Sequence, residues 1–140
     1  MKTRASCRTL AAGVIGALMS VTLGGTAFAQ ADENLMVYFG VGSTSISDEQ
    51  AEVLDQAARL FREGSPLVMI LSGGTDTLGS AARNLSLSVS RAEAVLEGLI
   101  ARGIPVDRLQ VAGRGETDLN VETDDSVAEA RNRYVEITWR

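Results

Sequence analysis

The stretch GGTDTLGS, residues 73–80, holds one acid, Asp76, in a glycine-rich turn between an apolar run and a long helical pattern. Fifteen positions later comes Arg91, inside that helical pattern. An acid in the turn feeding a helix and a guanidinium some two turns along it can face one groove, a few ångströms apart or separated by a ligand. Each has a plainer role as well: an Asp before a helix shapes its turn, and a helical Arg forms a surface ion pair. In a third arrangement the two pair with each other. Asn84 and Leu87 rotate to within about 60° of Arg91 on a helical wheel. The three form a narrow line predicted at the rim of the core.

Other chemistry is excluded by what the chain lacks. It has no His and one Cys, which removes Ser-His-Asp and Cys-His nucleophile systems and most zinc sites. GGTDTLGS lacks the Lys-Ser/Thr ending of a phosphate loop. The acids of 116–125 lack calcium-loop spacing and read as a solvated loop. Asn84-Leu85-Ser86 fits a glycosylation sequon but lies within the predicted helix. No metal or cofactor is expected, and no close inward-facing pair of carboxylates marks an enzyme.

The elements that must position the pair follow from periodicity. Leu35 to Phe39 reads as a strand. Ser47 caps a helix with Gln50 as its capping-box partner, and Leu54, Ala57, Ala58 and Phe61 follow at helical spacing. Gly64 and Pro66 end that helix, and Leu67 to Leu71 is an apolar strand expected to be buried on both faces. A long helix is predicted from Ser80 to Arg102, with Leu85, Val89, Ala92, Leu96 and Leu99 as its core stripe. Gly103 and Pro105 close it. Leu109 to Ala112 is a third strand, followed by Gly113 and Gly115 as turn glycines. Ser126 to Arg131 suits one or two helical turns, and Tyr134 to Trp139 alternates as a last strand. The order is βαβαβ(α)β, an α/β or α+β layer fold with helices covering one sheet.

Residues 1–29 stand apart. Lys2, Arg4 and Arg8 precede an apolar run, Leu10 to Leu23, and the segment closes on Ala27-Phe28-Ala29, the pattern of a cleaved secretory signal peptide. Residues 30–140 form the one domain. Cys7 precedes the apolar run, so no lipid anchor is expected. Of 13 basic and 18 acidic residues, the leader carries three basic and no acidic ones, leaving the domain at −8. Nucleic acid and acidic membranes are poor partners for such a surface. An exported chain without disulfides fits a bacterial periplasm.

The run GGTDTLGSAARNLSLSVSRAEAVLEGLIARGIPVDRLQVAGRGE resembles the signature of the OmpA C-terminal-like peptidoglycan-binding family: G-H-T-D-x-x-G, then N-x-x-L-S-x-x-R-A, then G-I-x-x-x-R-L and G-x-G-E. Asn132-Arg133 with Val135-Glu136-Ile137 is similar to its closing N-R-R-V-E-I. The resemblance implies an α+β sandwich with two main helices on one mixed sheet. It also implies non-covalent binding of Gram-negative peptidoglycan through meso-diaminopimelate, whose free end carries an ammonium and a carboxylate. Carried over, the recognition pair is Asp76 and Arg91: a carboxylate for the ammonium and a guanidinium for the carboxylate. Thr75, Asn84 and Leu87 would line the groove, with Arg133 a further member. The implied setting is the periplasm, against the cell wall or outer membrane, with an envelope protein as a possible partner.

The chain departs from that pattern at three places. Gly74 stands where the family has His, Tyr134 where it has a second Arg, and Phe39-Gly40-Val41-Gly42 replaces an F-D-x-[DN] type sequence. Two alternatives follow: a module that kept the fold but lost wall binding and serves as a protein interaction domain, or an enzyme acting on peptidoglycan.

Overall fold

The computed structural model describes residues 34–64 and 68–140. The leader of 1–29, the lead-in through 33, and Pro66 and Leu67 lie outside the described residues. Four strands and two long helices follow in the order β1 (Leu35–Tyr38), α1 (Asp48–Gly64), β2 (Met69–Gly74), α2 (Ala81–Ile100), β3 (Leu109–Gly115) and β4 (Tyr134–Trp139). The strands form one mixed sheet in the order β1-β4-β2-β3. Strand β4 is antiparallel to both neighbours, with Val37 opposite Val135 and Leu71 opposite Ile137. Strands β2 and β3 run parallel, connected through α2, with Leu71 opposite Val111.

Alternation sorts each strand into two faces. Val37, Met69, Leu71, Val135 and Ile137 are fully buried, and they share one core with Leu54, Ala57 and Ala58 of α1 and Ala92, Val95 and Leu99 of α2. The helices lie together on this face. The expectation for β2 was too short, because the strand continues through Ser72 to Gly74.

Two helix starts differ in how they are capped. Ser80 accepts from the Arg83 amide at 3.3 Å and caps α2 as a Ser should. Ser47 accepts from the Gln50 amide at 3.4 Å, but the reciprocal bond of a capping box is absent. The Gln50 side chain instead accepts from the Tyr38 amide at 2.8 Å, tying α1 to the end of β1.

The predicted core stripe of α2 needs correction. Leu85 is 50% exposed, and Val89 and Leu96 are half-buried. The buried face is rotated onto Asn84, Ser88, Arg91, Ala92, Val95 and Leu99, so its first half is polar. Glycine on the sheet explains this. A Cβ at Gly73 would overlap the Ser88 carbonyl, and one at Gly113 would overlap the Val89 side chain. The start of α2 therefore lies with its backbone almost on the sheet, where Leu cannot fit but Ser can. The Ser88 hydroxyl donates to the Leu85 carbonyl at 2.6 Å and accepts from the Gly115 amide at 3.0 Å. Gly113 and Gly115 are thus strand residues under a helix rather than turn glycines. The helical turns expected over 126–131 reduce to one 3₁₀ turn, Ala130–Asn132.

Candidate functional site

The parallel strands β2 and β3 end beside the start of α2, and the predicted site residues gather there. Asp76 is 6% exposed in the turn after β2. Its Oδ1 accepts from the Leu78 amide at 3.4 Å. Its Oδ2 accepts from the Glu129 amide at 3.3 Å and from Arg133 Nη1 at 3.1 Å. Arg133 also donates through Nε to the Phe39 carbonyl at 3.0 Å. This is a nearly buried, charge-assisted pair, with side-chain exposures of 12% and 8%.

Arg91 lies deeper than the rim expected for it. It is 1% exposed and among the largest fully buried side chains described. Three backbone carbonyls hold it: Ser43 on Nε at 2.9 Å, Gly74 on Nη1 at 3.2 Å and Gly40 on Nη2 at 3.0 Å. The Phe39 ring lies 5.4 Å from its Cζ, within cation–π range. Burial pulls its pKa well below the usual arginine range, to about 10, against the opposing pull of Asp76. Arg91 therefore remains a cation at neutral pH. It makes no ion pair with Asp76; that partner is Arg133.

Asn84 is buried and bridges two acids, donating from Nδ2 to the Asp76 backbone carbonyl at 3.2 Å and to Glu116 Oε2 at 2.7 Å. Thr75 joins the two parallel strands through its amide, which donates to the Gly115 carbonyl at 2.8 Å. Its hydroxyl is buried with no hydrogen-bond partner. Leu87 is half-buried one helical turn before Arg91 and enters neither the polar network nor the core cluster. The structure thus brings Asp76, Arg133, Asn84 and Thr75 together, sets Arg91 beneath them, and leaves Leu87 beside them.

Sequence reasoning missed the wall opposite α2. The acids of 116–125 read as a solvated loop and 126–131 as helical turns, yet the segment 116–129 is fastened at successive points. Tyr134 Oη donates to the Asp118 carbonyl at 2.9 Å. The buried amide of Asn132 accepts from the Val121 amide and donates to its carbonyl, both at 2.7 Å. The Thr77 hydroxyl donates to the Asp124 carbonyl at 2.7 Å and accepts from the Val127 amide at 3.0 Å. The Thr77 carbonyl accepts from the Ser126 amide at 3.0 Å, and Ser126 takes a left-handed φ of 60° there. Most of these partners are backbone groups, which carry no residue-type signal. The side chains that take part, Thr77 beside Asp76 and Asn132 and Tyr134 at the end of the segment, carry no spacing that announces these bonds.

Chemically, one carboxylate faces two guanidiniums in a largely desolvated corner. A carboxylate offers about four acceptor positions and a guanidinium five N–H donors. Arg91 uses three of its donors on carbonyls, and Asp76 receives three bonds. Both signs stand at fixed positions, Asp76 with Arg133 near the surface and Arg91 buried.

Comparison with known proteins bears on the family and the fold. The sequence model of the OmpA family matches residues 38–133. The chain is similar to outer membrane protein A of Bordetella avium, at 32% identity over 104 residues, covering 74% of this chain and 54% of that protein. It is 30% identical over 103 residues to the peptidoglycan-associated lipoprotein of Pasteurella multocida (strain Pm70), covering 74% of this chain and 69% of the relative. The crystal structure of the peptidoglycan-associated lipoprotein from Burkholderia pseudomallei superposes with a TM-score of 0.69 at 27% identity, covering 75% of this chain and 89% of that one. The chain spans about half the length of the Bordetella relative. With a family match over most of the described residues and the same two-helix, four-stranded fold, the chain belongs to the OmpA family.

Proposed function

We propose that this domain binds peptidoglycan without a covalent link, holding the meso-diaminopimelate of the stem peptide at the Asp76 corner. The observation that carries the reading is one buried carboxylate fixed beside two guanidiniums, Arg133 at 3.1 Å and Arg91 beneath. The free end of diaminopimelate is a zwitterion. Its ammonium meets Asp76, and its carboxylate meets the guanidinium side of the corner. Thr75, Asn84 and Leu87 shape the surroundings. Relatives named for association with peptidoglycan support the assignment. The proposed role is binding rather than catalysis, in the periplasm, after export directed by residues 1–29. Retention on insoluble peptidoglycan tests it: the wild type co-sediments, and Asp76→Asn does not.

A second reading has its own observation. The carbonyls of Gly40 and Ser43 are turned onto Arg91, and the space beside Gly74 is filled by Tyr134. In that reading the corner is a self-contained polar core, and the module binds an envelope protein instead. Equal retention of wild type and Asp76→Asn would favour it.

A further inference from the structure

Two of the chain's departures from the family pattern touch each other. Gly74 and Tyr134 lie on neighbouring strands, β2 and β4, which pair directly up to Gly73 and Val135. A Cβ at position 74 would lie 2.7 Å from Tyr134 Cε1 and 2.9 Å from Cζ, so the ring occupies the space a side chain would need. Tyr134 itself is 4% exposed. It stands on the sheet face away from the helices, since the alternate residues Val135 and Ile137 enter the core.

From that face the ring reaches both halves of the corner. Gly74 sits at a register shift in the β2–β3 ladder, and its carbonyl is one of the three that hold Arg91. The ring packed on Gly74 thereby backs the peptide that grips the guanidinium from the opposite side. The Tyr134 hydroxyl meanwhile donates to the carbonyl of Asp118, whose side chain also pairs with Arg114. Asp118 lies in the segment whose last residue, Glu129, donates its amide to Asp76. We propose that Tyr134 is a positioning residue for the site. Its ring sets Arg91 through Gly74, and its hydroxyl sets Asp76 through the 116–129 segment. The proposal deepens the binding function above and rests on it for its affinity readout only.

The two routes separate by variant. Tyr134→Phe keeps the ring and loses the hydroxyl. Gly74→Ala keeps the hydroxyl and presses a methyl on the ring. The readouts are the Nε–H resonance of Arg91 and amide hydrogen exchange at Val121, Val127 and Glu129, with Met69 and Leu71 amides as the fold control. Tyr134→Phe should leave the Arg91 resonance in place and speed exchange in the segment at least tenfold. Gly74→Ala should move the Arg91 resonance. With Tyr134 replaced by Leu, the same Gly74→Ala change should move it by less than half as much. In titrations with free meso-diaminopimelate, each of Tyr134→Phe and Gly74→Ala should weaken binding several-fold with the fold control unchanged. The proposal is overturned if Gly74→Ala shifts Arg91 equally with and without the ring, or if Tyr134→Phe leaves segment exchange unchanged. Absence of diaminopimelate binding by the wild type would overturn the binding function instead, and the resonance and exchange arms would still decide the role of Tyr134.

Discussion

Asp76 is paired with Arg133 at 3.1 Å, while Arg91, its expected counterpart, is held by the carbonyls of Ser43, Gly74 and Gly40. The two guanidiniums therefore do different work. Arg133 shares the carboxylate and is partly open to solvent. Arg91 fixes the backbone around it.

Replacing Arg91 should accordingly cost stability before it costs binding. Arg91→Ala removes three charge-assisted bonds, one to the buried Gly74 carbonyl and two to the part-buried Ser43 and Gly40 carbonyls, and each such bond contributes about 1.5–3 kcal/mol. Urea unfolding should show a loss of roughly 3 kcal/mol or more, relaxed in part by water entry. Arg91→Lys, with a point charge in place of the fork, should recover only part of it. A loss below about 0.5 kcal/mol, the scale of an ordinary surface change, would show that Arg91 is not structural.

Arg133→Ala should behave differently. Its Asp76 bond is charge-assisted and nearly buried, so unfolding should shift by about 1.5–3 kcal/mol. Preference for diaminopimelate over lysine should fall, because a guanidinium on the carboxylate side is gone. Unchanged preference by calorimetry would place the ligand carboxylate on Arg91 alone.

Gly73→Ala tests why the polar half of α2 is buried. The added methyl collides with the Ser88 carbonyl, a backbone atom that cannot turn aside. Overpacking usually costs about 1–3 kcal/mol, and this contact belongs at or above the upper end. The midpoint of thermal unfolding should fall by several degrees or more, whereas Gly64→Ala, where a Cβ meets nothing, should not lower it.

Alkaline pH should expose the Tyr134 contact. Burial, followed by the nearby Asp118 charge, raises the Tyr134 pKa above the ordinary tyrosine value of 10.0. Above pH 10 the unfolded chain releases this proton while the folded one keeps it. Stability present below pH 10 is therefore lost as pH rises toward the folded pKa. Arg91, depressed to about 10, acts oppositely in the same range, since the unfolded chain holds that proton longer. Comparing wild type with Tyr134→Phe cancels the Arg91 contribution. The wild type should lose more stability than the variant between pH 9.5 and the folded pKa, read by urea unfolding, and parallel curves would refute the assignment.

Much of the fold was legible in residue types. The alternation of Tyr134 to Trp139, the Ser80 cap and the helical period of 81–100 each follow from local rules, and each stands in the structure. The rotation of α2 was not legible. Period alone selects the most apolar stripe, which contains Leu85, whereas glycines elsewhere in the chain decide how close the helix comes. Gln50 shows the same limit, since its capping partner is displaced by the Tyr38 amide, a contact between distant elements. At the site, spacing led to Asp76, Arg91 and Asn84. The depth of Arg91 and the fastening of 116–129 depend on backbone carbonyls and amides, which no residue pattern announces.

Isothermal titration with free meso-diaminopimelate and with lysine, on the wild type and Asp76→Asn, tests the central claim most directly. A charge-assisted bond contributes about 1.5–3 kcal/mol, or roughly ten- to a hundredfold in affinity. The wild type should bind diaminopimelate at least tenfold more tightly than lysine, and Asp76→Asn should lose at least tenfold for both. Equal binding of the two ligands, or an Asp76→Asn protein that binds like the wild type, would contradict a zwitterion-binding corner built on Asp76.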